Sequence, residues 1–152
     1  MPTRRALLAS FAALPAIGLF STPALAGQPP VFSEAGLAIR GIDPVAYFTQ
    51  DQPVPGLSEY QSEYMGAVWR FASAANKALF DASPEVYAPK YGGYCAYAVS
   101  KGATALTDPD AWTVHDGNLY LNFSTDVRSI WRKDIPGNVQ KADLNWPAVL
   151  DC

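Results

Sequence analysis

The sequence predicts an α+β fold, with a small antiparallel sheet from two hairpins (about residues 60–71 and 111–123) and several short helices packed on it. In the first hairpin, aromatic and polar residues alternate on either side of Met65-Gly66, as expected for a strand pair. In the second, Asp116-Gly117 separates two alternating runs, the strongest short-range hairpin signal. Because strands that follow each other pair locally, we expect an antiparallel sheet rather than a parallel one.

Helix starts are marked by polar caps and prolines. Ser73 is expected to cap a helix over 74–82, and Ser124 a helix that ends near Lys133. Further short helices are predicted after Asp43-Pro44, after Pro84, over 94–100 and from Pro136.

The first 26 residues have the pattern of a cleavable signal peptide. Arg4 and Arg5 precede an apolar stretch over 6–20, and Ala24-Leu25-Ala26 is a small-x-small cleavage site. The stretch is shorter than the roughly 20 residues of a spanning helix. The paired arginines favour the twin-arginine export machinery, although ordinary secretory signals and retained anchors also occur with this pattern. We therefore expect a periplasmic protein cleaved after Ala26, with no membrane span afterwards.

The remaining 126 residues suit one domain, expected at 37–152 after a linker at 27–36. This part keeps all 14 acidic residues and nine of the 11 basic ones, a formal net charge of −5. No basic tract is present, so nucleic acid is not an expected partner. Protein partners are not indicated. The two cysteines, Cys95 and Cys152, could pair in an oxidising compartment, although chain ends usually fray.

Several motifs, in order, resemble the YHS domain. They are Asp43–Phe48, Tyr64–Ser73, Phe80, Pro84–Tyr87 and Tyr91-Gly92-Gly93-Tyr94-Cys95-Ala96. The last of these looks like an exported branch of the family, in which some members carry selenocysteine at the position of Cys95.

The resemblance implies a YHS-like fold and an association with metal handling. Many YHS domains place cysteine ligands where this sequence has Ala46, Ala72 and Ala75. The usual thiolate metal site therefore does not transfer to this chain.

Cys95 is the first candidate for chemistry. It lies near a predicted helix start, where free N–H groups and the helix dipole favour a thiolate. Such a sulfur can act as a metal ligand or as a catalytic redox nucleophile. The alternative is a buried cysteine that only packs.

His115 and Asp43 are the further candidate metal ligands, with copper, iron or zinc as the ion. One histidine and one cysteine fall short of a four-ligand structural zinc site, so Asp43, Asp108 or a tyrosine would have to contribute. An exposed turn residue is the simpler interpretation of His115.

Five aromatic residues are predicted to line a pocket near Cys95: Tyr47, Tyr91, Tyr94, Tyr97 and Trp112. Tyr94 and Tyr97 would share one face of the predicted helix. Packing in the core, with hydroxyls at the rim, is the alternative for these side chains.

Three functions follow from these residues. A periplasmic metal-binding or metal-handling protein leads, followed by a thiol redox protein that uses Cys95 and by a noncatalytic interaction module. The sequence contains no Ser-His-acid order, no CxxC and no haem CxxCH motif, so an enzyme is the less favoured class.

Overall fold

The computed structural model describes residues 27–152, and the predicted signal peptide lies outside this range. Within it, short helices surround a small, mostly antiparallel set of strands, which confirms the α+β class. No helix in the described range is long and apolar enough to cross a membrane.

Six strands within residues 27–152 form two sheets. The first sheet has the order β1-β2-β4-β3 and the second pairs β5 with β6. The strands are β1 (Ser33–Glu34), β2 (Leu37–Ala38), β3 (Leu57–Tyr64), β4 (Ala67–Phe71), β5 (Trp112–His115) and β6 (Asn118–Leu121).

Both predicted hairpins are present as β3–β4 and β5–β6, but they lie in separate sheets. One pairing is parallel, because Leu37 of β2 lies opposite Val68 of β4. A local turn fixes the direction of strands within a hairpin. The docking of β1–β2 on β4 is instead set by tertiary packing, which the local pattern does not contain.

In the described part of the chain, the hairpins β1–β2, β3–β4 and β5–β6 each turn through two consecutive residues with positive φ. The pairs are Ala35-Gly36 (51° and 79°), Met65-Gly66 (51° and 78°) and Asp116-Gly117 (49° and 76°). This is the type I′ geometry, whose twist matches that of the flanking strands.

The helices follow the predicted caps. Ser73 Oγ accepts a hydrogen bond from Asn76 N, and Ser124 Oγ accepts one from Val127 N, each at 3.1 Å. The α-helices are α1 (Ala46–Thr49), α2 (Ala74–Ala82), α3 (Pro84–Tyr87), α4 (Ala96–Ser100), α5 (Thr125–Trp131) and α6 (Ile135–Asn145). Short 3₁₀ turns occur at Ile39–Gly41, Lys90–Gly93, Arg132–Asp134 and Ala148–Asp151.

Aromatic side chains dominate the core. The alternation along β4 buries Ala67, Trp69 and Phe71 on one face. Phe80 of α2 packs on that face, with its ring centroid 5.2 Å from that of Trp69 and 5.0 Å from that of Phe71.

Residues 27–36, the segment predicted as a linker, contact the rest of the described chain. Val31 and Phe32 are buried. Phe32 N donates to Gly92 O at 2.8 Å, and Gln28 N donates to Leu150 O at 2.7 Å. The proline-containing composition was typical of a linker, but the two apolar side chains find a site in the core.

Candidate functional site

Asp43, a candidate metal ligand, lies at the centre of a hydrogen-bond network and is fully buried. Its Oδ1 accepts from Val45 N (2.8 Å) and Ala46 N (3.3 Å) at the start of α1. Its Oδ2 accepts from Ala72 N and Asn76 Nδ2, both at 2.8 Å. The carboxylate thus ties α1 to the end of β4 and to α2, and both of its oxygens are occupied by protein donors.

Cys95 is 1% exposed and precedes α4 as its N-cap residue, rather than lying inside the helix. Its Sγ accepts from Ala98 N at 3.5 Å and from Phe123 N at 3.3 Å. The side-chain oxygen of Asn122 lies 3.5 Å from the sulfur and also accepts from Tyr97 N at 3.1 Å. The sulfur therefore joins the start of α4 to the chain that follows β6.

Cys95 and His115 lie at opposite ends of the β5–β6 hairpin. His115 pairs with Asn118 beside the turn, whereas Cys95 contacts Asn122 and Phe123 beyond the other end of β6. Asn122 lies four residues after Asn118 along the extended chain, a span of about 13 Å. The structure therefore does not bring the two leading candidate ligands together.

The remaining potential ligands are also dispersed. Within residues 27–152, no group of three or more His, Cys, Asp or Glu side chains is placed to hold a metal ion. Cys152 is exposed and Cys95 is buried, and the two thiols are not bonded to each other. His115 Nε2 lies 3.3 Å from the carboxylate of Asp116.

Four of the five aromatic residues that were predicted to line a pocket make other contacts. Tyr47 is buried, donates to Pro109 O at 2.8 Å and lies 5.3 Å from the ring of Trp112. Tyr94 is buried and donates to Pro29 O at 2.7 Å. Tyr97 is half-buried beneath the ammonium group of Lys101. Because α4 begins only at Ala96, Tyr94 and Tyr97 do not share a helical face as predicted.

Tyr91 lines a depression that does not include Cys95, and the two glycines after it explain its position. Tyr91, Gly92 and Gly93 have φ values of 58°, 62° and 85°, so the chain reverses sharply here. A Cβ on Gly92 would collide with the carbonyl oxygen of Pro30. The glycine therefore permits the close approach of the N-terminal segment, which forms one wall of a depression beside Tyr91.

This depression, which we call the Tyr91 groove, has a volume of about 320 Å³. It lies between the turn of β3–β4, the segment from α3 to Gly92, and the C-terminal end of α6. Four aromatic residues contribute to its walls: Tyr64, Trp69, Tyr91 and Trp146. Three charged residues line it as well: Glu85, Lys90 and Asp143.

A hydrogen bond fixes the polar side of the groove. Tyr91 Oη donates to Asp143 Oδ1 at 2.9 Å. Burial, and secondarily the contact with Asp143, raises the pKa of the Tyr91 phenol well above its ordinary value. The hydroxyl therefore stays protonated near neutral pH and holds the Asp143 carboxylate at the rim.

A second depression adjoins the first. It has a volume of about 250 Å³ and shares Lys90 and Asp143 with the Tyr91 groove. His115, Asp116 and Tyr120 line its other side. His115 thus belongs to a concave surface, but one next to Tyr91 rather than next to Cys95.

Sequence reasoning did not identify Tyr64, Asp143 or Trp146 as site residues. The distance along the chain explains this, since α6 meets the β3–β4 turn only in the folded protein. A sequence signal was present in Trp146, a large aromatic residue that directly follows the predicted last helix.

Comparison with protein-family models finds a YHS domain at residues 45–91. No curated protein and no solved structure matches this chain. The matched residues run from the start of α1 through α3 and end at Tyr91, so the resemblance to a YHS domain is confirmed over this range. YHS domains are associated with metal handling in general. The exported branch of the family stays a prediction.

Proposed function

We propose that this chain is an exported, noncatalytic binding module that holds a small ligand in the Tyr91 groove. One observation carries the proposal: the groove joins aromatic walls to charged groups in a concave site, at the point where the YHS domain meets the C-terminal helix. Binding sites commonly combine apolar walls with a few convergent polar groups in this way.

The surroundings of Cys95 support a binding role over thiol chemistry. The sulfur is buried and receives two backbone N–H groups, so a substrate would need an opening to reach it. Its contacts are those of a side chain that stabilises the fold.

Ligand binding is tested by screening small metabolites against the full chain, using tryptophan fluorescence and thermal shift. Trp69 and Trp146 line the groove and should report occupancy. Tyr91→Phe removes only the hydroxyl that contacts Asp143 and should weaken binding. Tyr94→Phe is the matched control, because its hydroxyl bonds to Pro29 outside the groove. A ligand that binds Tyr91→Phe and Trp146→Leu as tightly as the unchanged protein would place the site elsewhere and refute the proposal.

Export to the periplasm is part of the same proposal and rests on residues 1–26. Cell fractionation should find a mature protein that begins at Gly27. Replacing both Arg4 and Arg5 by lysine keeps the positive charge and should block export by the twin-arginine route. Undiminished export of this variant would indicate the general secretory route instead.

Metal handling is the second candidate, favoured by the association of YHS domains with metals and by the pairing of His115 with Asp116 beside Asp143. Copper, iron or zinc would bind there through the His115 imidazole, the Asp116 carboxylate and external ligands. Metal analysis of protein purified from the periplasm should then find an ion that His115→Ala removes and Cys95→Ala retains. Loss of the ion in Cys95→Ala would assign the metal to the Cys95 segment, and the absence of stoichiometric metal would exclude this candidate.

A further inference from the structure

We propose that the ligand of the Tyr91 groove carries a methylated ammonium group, as in quaternary ammonium compounds and their zwitterionic carboxylates. The inference rests on the proposed binding function and specifies the ligand class. It is drawn from the aromatic walls, the carboxylates at the rim and the volume of the groove.

The aromatic walls come from two separate pairs of rings. On the hairpin side, the centroids of Tyr64 and Trp69 are 6.3 Å apart, with the planes tilted by 54°. On the side of α6, the centroids of Tyr91 and Trp146 are 6.0 Å apart in an edge-to-face arrangement at 66°. Trp69 and Tyr91 are buried, so the ring surfaces open to a ligand are chiefly those of the half-buried Tyr64 and Trp146. Aromatic surfaces around a cavity attract the diffuse charge of a methylated ammonium group.

The charges at the groove favour a cation over a neutral aromatic ligand. Glu85 and Asp143 contribute two carboxylates, and Lys90 contributes one ammonium group. Neither Glu85 nor Lys90 forms a salt bridge with another described residue. Asp143 is held by the Tyr91 hydroxyl, which is a neutral partner. The local charge is therefore negative and is not neutralised by ion pairs within the described part of the chain.

Lys90 distinguishes two kinds of methylated ammonium ligand, simple cations and zwitterions. A simple cation such as choline would gain nothing from the lysine, whereas a zwitterion such as betaine could place its carboxylate against it. The volume of about 320 Å³ lies at the small end of the range for ligand pockets, which suits either compound.

The experiment is calorimetric titration of the full chain with choline, betaine and tetramethylammonium. The matched ligand control is 3,3-dimethylbutanol, a neutral compound with the shape of choline. At least one ammonium compound should bind, and the neutral compound should bind at least about tenfold more weakly. Equal binding of choline and 3,3-dimethylbutanol would overturn the proposal, because the charge would then contribute nothing.

Substitutions in the groove test whether the ammonium compounds bind there. Trp146→Leu and Glu85→Gln should each weaken binding, by about tenfold for the tryptophan. Glu85 is exposed, so its substitution keeps the test valid if Trp146→Leu does not fold. Asp126→Asn is the matched control, an exposed carboxylate on α5 away from the groove. Unchanged affinity in both groove variants would overturn the proposal.

If the ligand is a zwitterion, Lys90→Gln should lower the affinity for betaine and leave the affinity for choline unchanged or raise it. Lys133→Gln, at another exposed lysine, is the control. If no ammonium compound binds while another metabolite binds in a Tyr91-dependent manner, the ligand class is wrong and the binding function stands. If nothing binds, both fail.

Discussion

Asp43 shows how one buried carboxylate can organise the beginning of a domain. Four N–H groups from three parts of the chain converge on its two oxygens, at distances of 2.8–3.3 Å. Hydrogen bonds to a charged acceptor are stronger than neutral ones, and a buried donor that loses its partner is costly. The aspartate of the Asp-Pro-Val motif therefore acts in this chain as a structural anchor.

Asp43→Asn should destabilise the protein by about 2–4 kcal/mol, because the amide NH₂ would face backbone donors in place of an acceptor. Urea unfolding measures the change. Asp51→Asn is the control, since this exposed residue has a positive φ that asparagine tolerates. Equal, small effects of both substitutions would contradict the anchoring role.

The two cysteines should differ sharply in reactivity. In native protein one thiol, Cys152, should react rapidly with a thiol reagent, and Cys95 should react only after unfolding, because it is 1% exposed. Mass spectrometry of the labelled peptides identifies each site. Rapid labelling of Cys95 in the native state would restore the thiol redox interpretation.

At the scale of elements, the hairpins are defined by their turns. Each of the three turns has glycine at its second position, and the first position is occupied by Ala35, Met65 or Asp116 with φ near 50°. Left-handed backbone is unfavourable for alanine and much less so for asparagine or aspartate. The turn at Asp116-Gly117 was predictable for this reason, whereas the turn at Ala35 was not.

Ala35→Asn should stabilise the protein by about 0.5–1 kcal/mol, because Asn-Gly is the preferred type I′ pair. Thermal and urea unfolding provide the measurement. Ala103→Asn, in an exposed loop without positive φ, should change stability little. A loss of stability in Ala35→Asn would mean that the turn strain is not relieved.

At the scale of the whole molecule, the two ends of the described chain pack against each other and against the segment around Tyr91. The N-terminal segment packs against Gly92 and Leu150, and α6 brings Asp143 and Trp146 to Tyr91. The Tyr91 groove exists only because these distant segments meet. The folded core as a whole buries the phenols of Tyr47, Tyr91, Tyr94 and Tyr120 and raises the pKa of each, with burial as the largest cause.

These phenols predict a loss of stability at alkaline pH. A raised pKa means that the folded state keeps the proton when the unfolded state loses it, so the stabilisation is complete below about pH 10 and declines above it. Above about pH 10, each phenol that stays protonated in the folded state should lower the free energy of unfolding by about 1.4 kcal/mol per pH unit. Urea midpoints from pH 8 to 11 measure the slope, and Tyr47→Phe should reduce it. A flat profile to pH 11 would contradict the burial of these hydroxyls.

Local signals in the sequence determined the elements of this protein. Ser73 and Ser124 specified helix starts, Met65-Gly66 and Asp116-Gly117 specified hairpins, and ordered motifs specified the YHS domain found at residues 45–91. Such signals work because capping and turn geometry depend on a few neighbouring residues. Only the tertiary structure decided that β2 runs parallel to β4 and that Cys95 is separated from His115. It also placed Trp146 and Asp143 beside Tyr91. These are contacts between residues far apart in the chain, which depend on how whole elements pack and not on any short stretch of sequence.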